Sequence, residues 1–316
     1  MPDQIRVSVV IPVHNAERYL EITLRSALSS DLSELEIVVI DDGSTDRSAD
    51  IVRQIGDPRI ILIQLPASGG PARPRNVGIA RARAAYVAFL DADDLIKPDK
   101  LSSAVAALDR HPEAGFAFTD FDRIDGDGKI VEASVLAPKR VFRELSSEPV
   151  EDSWRLIPRS ELQRGLLRTT FLQTSGVILR KSILSDIGTF DETLVYWEDM
   201  DLWFRLVHHC SALYREEIGH SYRLAPGSLT YKSSVLLVRD SIRVLRRERD
   251  RWKSGGERRH LDRRIAESLA KIGYEYRRGR KRFRAAAAFA QALVQHPDMT
   301  WMRALVGSLV RIDPTK

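Results

Sequence analysis

Along the first hundred residues, short apolar runs alternate with stretches whose apolar positions recur every three or four residues. Val7–Pro12, Glu36–Ile40, Arg59–Leu65 and Tyr86–Leu90 read as strands. Between them, Glu17–Ser29 puts Tyr19, Leu20, Leu24, Ala27 and Leu28 on one helical face. A second helix is expected from Asp46 to Ile55, and a third runs from the loop Ala67-Ser68-Gly69-Gly70-Pro71 through Ala84. Strands separated by helices of this length imply right-handed βαβ units and a parallel sheet. Each strand is then followed by its polar loop, so segments 12–15, 41–46 and 91–94 emerge at one edge. Open α/β sheets bind their ligands at that edge.

The middle of the chain changes character. Gly115–Phe121 reads as a strand, Asp125-Gly126-Asp127-Gly128 as a hairpin turn, and 130–165 is poorly periodic. Thr174–Leu179 reads as another strand, and Asp199–His209 as a helix with Leu202, Trp203 and Leu206 inward. This is mixed-sheet material laid beside the parallel half. From Ser233 onward the pattern is helical and basic, interrupted at Ser254-Gly255-Gly256. Ile272-Gly273 through His296-Pro297 partly resembles one tetratricopeptide-type helical pair, but a single imperfect repeat cannot build a solenoid.

At 316 residues two units are expected, divided between 1–232 and 233–316, and 43% apolar content suffices for a sizeable core. No window reaches the length of a membrane span, and the start MPDQIRVSVVIP lacks the layout of a signal peptide. The one cysteine, Cys210, cannot form an internal disulfide, which fits a reducing cytoplasm. Without a Cys/His array for zinc, any metal would be a hard cation on oxygen ligands. The net charge of +5 conceals a split: 28 basic and 35 acidic residues in 1–234, against 21 basic and 9 acidic in 235–316. Such a tail suits an anionic surface.

The run Phe89-Leu90-Asp91-Ala92-Asp93-Asp94 sets three carboxylates directly behind a strand. Like charges this close repel by roughly 1 kcal/mol per pair in water, and more where water is excluded. Either a divalent cation holding a diphosphate sits there, or the acids form a solvated helix N-terminus.

Taken in order, four elements resemble a family-two glycosyltransferase of the GT-A fold. They are Val7-Ser8-Val9-Val10-Ile11-Pro12-Val13-His14-Asn15, Asp41-Asp42-Gly43-Ser44-Thr45-Asp46, Arg75-Asn76-Val77-Gly78 before Phe89–Asp94, and Trp197-Glu198-Asp199-Met200-Asp201-Leu202. The resemblance covers about 5–232. It implies a Rossmann-like, mostly parallel central sheet with helices on both faces, a nucleotide-sugar half in 1–115, an acceptor half in 116–232, and a C-terminal helical segment. It also implies transfer of a sugar from a nucleotide-diphosphate sugar, UDP-linked, to a saccharide or lipid-linked acceptor in cell-surface glycan synthesis, with inversion.

By that likeness Pro12, Val13, Asn15 and Glu17 line the nucleotide pocket, and Asp42 accepts a hydrogen bond from the imide of uracil. Asp91 and Asp93 match the acids of the DxD motif: Asp93 would hold Mg²⁺ or Mn²⁺, and Asp91 the ribose or a coordinated water. In extended backbone, residues two apart point the same way, so both can face one ion. Arg75, with Arg73, would add positive charge toward the phosphates. Asp199 matches the base that deprotonates the acceptor hydroxyl, Glu198 being the runner-up or an acceptor contact. Trp197 would stack on a sugar face or sit in the core. Ser175 and Gly176 would lie near donor and acceptor, or in a plain core strand.

One departure stands out. Many relatives carry Tyr-Arg-x-His, where this chain has Tyr222-Arg223-Leu224-Ala225, which puts a third protein metal ligand in question. His220 lies on the wrong side of the pattern and is expected to be a surface histidine. The basic tail reads as a solvated helical face or as peripheral attachment to anionic lipid at the inner face of the membrane, with no reader motif for nucleic acid. Two rivals are a non-catalytic sugar- or nucleotide-binding scaffold and a sugar nucleotidyltransferase. The latter needs a Gly-rich basic loop where Pro12-Val13-His14-Asn15 stands.

Overall fold

The computed structural model describes residues 5–151, 153–224, 235–253 and 255–309. They fall into two compact units: those within Met1–Thr193 and Asp201–Tyr231, and those within Leu194–Met200 and Lys232–Lys316.

The first unit opens with β1 (Val7–Val13), α1 (Leu20–Leu28), β2 (Leu35–Asp42), α2 (Ser48–Ile55), β3 (Ile60–Leu65), α3 (Ala72–Arg81) and β4 (Tyr86–Phe89). There follow β5 (Leu95–Ile96), α4 (Lys100–Arg110), β6 (Ala114–Ile124), β7 (Ile130–Glu132), α5 (Arg140–Glu144), β8 (Glu148–Glu151) and β9 (Trp154–Ile157). Then come α6 (Arg159–Arg168), β10 (Val177–Arg180), α7 (Ile183–Ile187), α8 (Glu198–His209), of which the residues from Asp201 on belong to this unit, and β11 (Ser211–Arg223).

One sheet runs β3-β2-β1-β4-β10-β6-β11-β9-β8, with β5 paired to β11 and β7 to β6. The first four strands are parallel, as alternation with helices requires. β10 enters antiparallel to both β4 and β6, and this reversal begins the mixed half. Val13 pairs in register with Asp41, and Val10 with Phe89, so β1, β2 and β4 end close together at one edge.

Burial explains why the parallel half was readable. β2 and β4 are buried along their whole length, and α1 buries Leu20, Leu24 and Ala27 in the same core as its period dictates. Truncating a side chain such as Leu24 to Ala would cost about 2–5 kcal/mol. α3 lies close on β1: a Cβ at Gly78 would come within 2.3 Å of Val10 Cγ1, so the glycine after Arg75-Asn76-Val77 serves this approach.

The structure amends several expectations. α1 starts at Leu20, because Tyr19 and Leu20 both donate backbone N–H groups to Ala16 O and the chain turns there first. Thr174–Gly176 is a 3₁₀ turn rather than strand; Gly176 N–H closes it on Gln173 O at 2.8 Å, and β10 begins at Val177. His220 is not a surface residue. Its strand β11 pairs with β6 on one side and β5 on the other, leaving it fully buried and stacked on Phe121 with ring centroids 4.9 Å apart. The turn Asp125–Gly128 joins β6 to β7, with Gly128 at φ 87°. Cys210 is half-buried, and burial pushes its thiol up to about 12. Ala225 lies outside the described residues.

The second unit contains α9 (Val235–Arg251), α10 (Gly256–Arg278), α11 (Arg282–Gln295) and α12 (Met299–Leu309). Gly255, at φ 105°, separates α9 from α10 at the expected break. Ile265, Leu269, Ala285, Phe289 and Ala292 form its interior. A Cβ at Gly273 would lie 2.8 Å from the Phe289 ring, so α10 and α11 pack closely there.

Candidate active site

Two loops at the edge of the parallel strands are laced together. After Pro12 and Val13, the His14 ring lies 2.9 Å from the carbonyl of Asp42. Asn15 takes a left-handed φ of 50°, donates its N–H to Ser44 Oγ at 3.0 Å, and accepts Thr45 N–H at 2.8 Å. Glu17 donates its N–H to Asp46 and accepts Arg47 N–H. Asn15 and Glu17 thus join the loop after β1 to the loop after β2. Asp42 is buried, and its two oxygens accept the N–H and hydroxyl of Ser68 at 2.8–3.1 Å.

The acid loop after β4 is held from below. Asp94 is 1% exposed; one oxygen accepts the Ser175 hydroxyl at 2.6 Å and the other the N–H of Arg223 at 2.9 Å. Ser175 Oγ in turn accepts the N–H of Asp91 at 3.0 Å. Arg223 donates through Nε to the carbonyl of Asp93 at 2.8 Å and packs over the Tyr19 ring, 4.6 Å away. The Thr23 hydroxyl sits about equally close to the carbonyls of Ala92 and Asp94. Asp94 is therefore a pillar of the loop, while Asp91 and Asp93 are more exposed.

Charge in this loop is only partly balanced. Arg75, itself buried, donates to Asp91 at 2.7 Å and lies over the Phe190 ring. Arg73 is exposed in the first turn of α3. Burial, then the charge of Asp91, pushes the Asp93 carboxyl up to about 6, with Arg223 opposing. Burial and both neighbouring acids push Asp94 well above the carboxylate range. Beneath them Lys100 is fully buried and donates to the carbonyl of Ser175; burial brings its ammonium down to about 7. Burial, with the charges of Lys100 and Lys97, holds His220 well below its ordinary value. Gly176 sits against this ring: a Cβ there would be 2.9 Å from His220 Cε1.

The remaining candidates belong to the second unit. Trp197 adopts a left-handed φ of 63°, and the Arg264 guanidinium lies over its ring at 5.9 Å. Glu198 is buried and Asp199 half-buried, the latter accepting the N–H of Met200 at 2.6 Å. Asp240 on α9 accepts the N–H groups of both Val195 and Tyr196 at 3.1 Å, tying down the segment that leads into Asp199. Sequence reasoning missed Lys100 and Asp240, which lie in unremarkable helical contexts, and gave no supporting role to Asp94 or Arg223, which it met only in the run of acids and in the Tyr222-Arg223 pattern.

A separate cleft lined by Arg6, Glu34, Tyr86, Asp109 and Arg180 lies at the opposite end of β1 and β4, away from the acid loop.

Residues 8–188, more than half of the chain, match the sequence model of glycosyl transferase family 2, and the chain belongs to that family. It is 38% identical over 122 residues to an uncharacterized glycosyltransferase of Haemophilus influenzae, covering 37% of this chain and 49% of the relative. It is 30% identical over 185 residues to the poly(ribitol-phosphate) β-N-acetylglucosaminyltransferase TarS of Staphylococcus aureus, covering 57% of this chain and 30% of TarS. The chain thus spans half or less of the length of these two relatives. The crystal structure of S. aureus TarS 1–349 in complex with UDP superposes with a TM-score of 0.61 at 23% identity, over 92% of this chain and 81% of that one. This likeness establishes the GT-A-type fold, with the additional C-terminal helices.

Proposed function

We propose that the protein is an inverting glycosyltransferase that moves a sugar from a UDP-sugar to a saccharide or lipid-linked acceptor in cell-surface glycan synthesis. Family membership supports glycosyl transfer, and the UDP in the TarS complex supports the donor class. The observation that carries the reading is the placement of Asp91 and Asp93 behind β4, beside the strand ends that bear the 12–17 and 41–46 loops.

The donor set fits a small divalent cation. Asp91 and Asp93 offer hard oxygens, and the burial and Asp91 charge that raise the Asp93 carboxyl are what a bound cation would offset. Among the described residues no group of three or more His, Cys, Asp or Glu is arranged to hold a metal. Mg²⁺ or Mn²⁺ would therefore rest on these two carboxylates, the usual arrangement when substrate phosphates complete the shell. When bound, the ion would stabilise charge on the departing diphosphate.

The chain's own groups divide the remaining work. Asp42, an acceptor when ionised, suits a base that presents an N–H. Pro12, Val13, Asn15 and Glu17 shape the nucleotide side, while Arg73 and Arg75 add positive charge near the diphosphate. Asp199 takes the proton from the acceptor hydroxyl as that oxygen attacks the anomeric carbon, with Glu198 contacting the acceptor. The test is release of UDP from a panel of UDP-sugars with and without Mn²⁺. Slow, metal-dependent hydrolysis is expected; no release from any of them, under conditions where UDP binds, would favour the non-catalytic scaffold.

A further inference from the structure

We propose that the turn between α10 and α11 docks the protein onto an anionic lipid bilayer. From Arg277 to Arg284 the chain reads Arg-Arg-Gly-Arg-Lys-Arg-Phe-Arg, with six cations in eight residues. All six are exposed, and no acidic residue occurs between Glu275 and Asp298. Glu275 pairs with Arg278 at 3.1 Å. This concentration of charge calls for an anionic partner, and a planar one suits a turn that projects its cations together.

The second component is apolar. Phe283, in the middle of the cluster, is 85% exposed, while the opposite side of α11 buries Ala285, Ala288, Phe289 and Ala292. Val294, 89% exposed, lies eleven residues on, which at about 100° per residue returns to the same face. α12 adds exposed Met299, Met302, Val306 and Leu309 at helical spacing. A helix with a basic first turn and an apolar outer face matches segments that lie in the headgroup region. The cations draw the turn to acidic headgroups, and Phe283 enters the acyl boundary beneath them.

The turn itself is built rigidly. Arg280 sits at a left-handed φ of 57°, and Lys281 N–H bonds Tyr276 O at 2.8 Å. Arg280→Gly suits that backbone and so removes charge without harming the turn.

The experiment is co-sedimentation of the full chain with vesicles of phosphatidylcholine alone, or with about 30% phosphatidylglycerol. Binding is expected to the acidic vesicles and to weaken with salt. The pair Arg280→Gly with Lys281→Gln should lower partitioning about 25-fold, at about fivefold per charge. Phe283→Ser should lower it about tenfold. Unchanged melting temperatures would show that neither change unfolds the protein. Equal binding to neutral vesicles, or wild-type binding by either variant, overturns the proposal. So does a dimer in solution that Phe283→Ser dissolves, or an RNA duplex that binds the turn more tightly than the acidic vesicles do. Because UDP release is measured without vesicles, failure of the docking leaves the catalytic reading standing.

Discussion

Ser175→Ala is the most informative single change in the first unit. Ser175 is 1% exposed, and its hydroxyl donates to Asp94 at 2.6 Å while accepting the N–H of Asp91 at 3.0 Å. Removing it deletes a buried bond to a carboxyl, worth about 1.5–3 kcal/mol, and strands the Asp91 N–H at a further cost of about 1–3 kcal/mol. Asp94 keeps the N–H of Arg223, and its raised tendency to hold a proton softens the loss. The net expectation is about 3 kcal/mol of destabilisation, a fall in Tm of roughly 6–12 °C. Because Asp91 begins the acid loop, affinity for UDP with Mn²⁺ should fall about tenfold in proportion to a loss near 1.4 kcal/mol. Urea denaturation and calorimetry read the two effects separately. Loss of turnover with stability held to within about 0.5 kcal/mol would instead make Ser175 a substrate contact, and would refute the pillar role assigned here.

Asp199→Asn should abolish transfer while leaving UDP affinity intact; near-normal turnover would show that another group is the base. Asp240→Ala should remove the clamp on Val195 and Tyr196, destabilising the second unit by about 2 kcal/mol and lowering kcat more than donor affinity. Equal kcat in that variant would detach the segment's order from catalysis. Asp93, raised to about 6 from an unfolded value near 3.9, binds an extra proton in the native state across that window. It therefore opposes folding increasingly as pH rises from about 4 to 6, and metal-dependent UDP affinity should weaken as pH falls below about 6. Calorimetry finding equal affinity at about pH 5 and about pH 7.5 would count against Asp93 as a ligand. Lys100, lowered to about 7 by burial, leaves the native state with fewer protons than the unfolded chain between about pH 7 and about pH 10.4. Stability should rise with pH over that range, and Lys100→Met should flatten the slope in urea melts.

The sequence by itself determined the parallel half and the position of its acids. β1, β2 and β4 lie buried between layers, so they appear as near-continuous apolar runs, and a polar loop must follow each at the same edge. Asp91, Asp93 and the 41–46 loop were legible for that reason. What supports them was not. β11 carries Ser-Ala-Leu-Tyr-Arg-Glu-Glu-Ile-Gly-His-Ser-Tyr-Arg, a polar mixture with no clear alternation, because strands flank it on both sides and its bulges shift the register. Only that pairing buries His220 and brings Arg223 to the carbonyl of Asp93. The tie between Asp240 and the segment before Glu198 is likewise hidden, because it is made to the backbone N–H groups of Val195 and Tyr196, which every residue but proline carries and no side-chain pattern reveals. Local periodicity records which face of an element is wet; the tertiary structure alone decides which polar groups are paid for by partners distant in the chain.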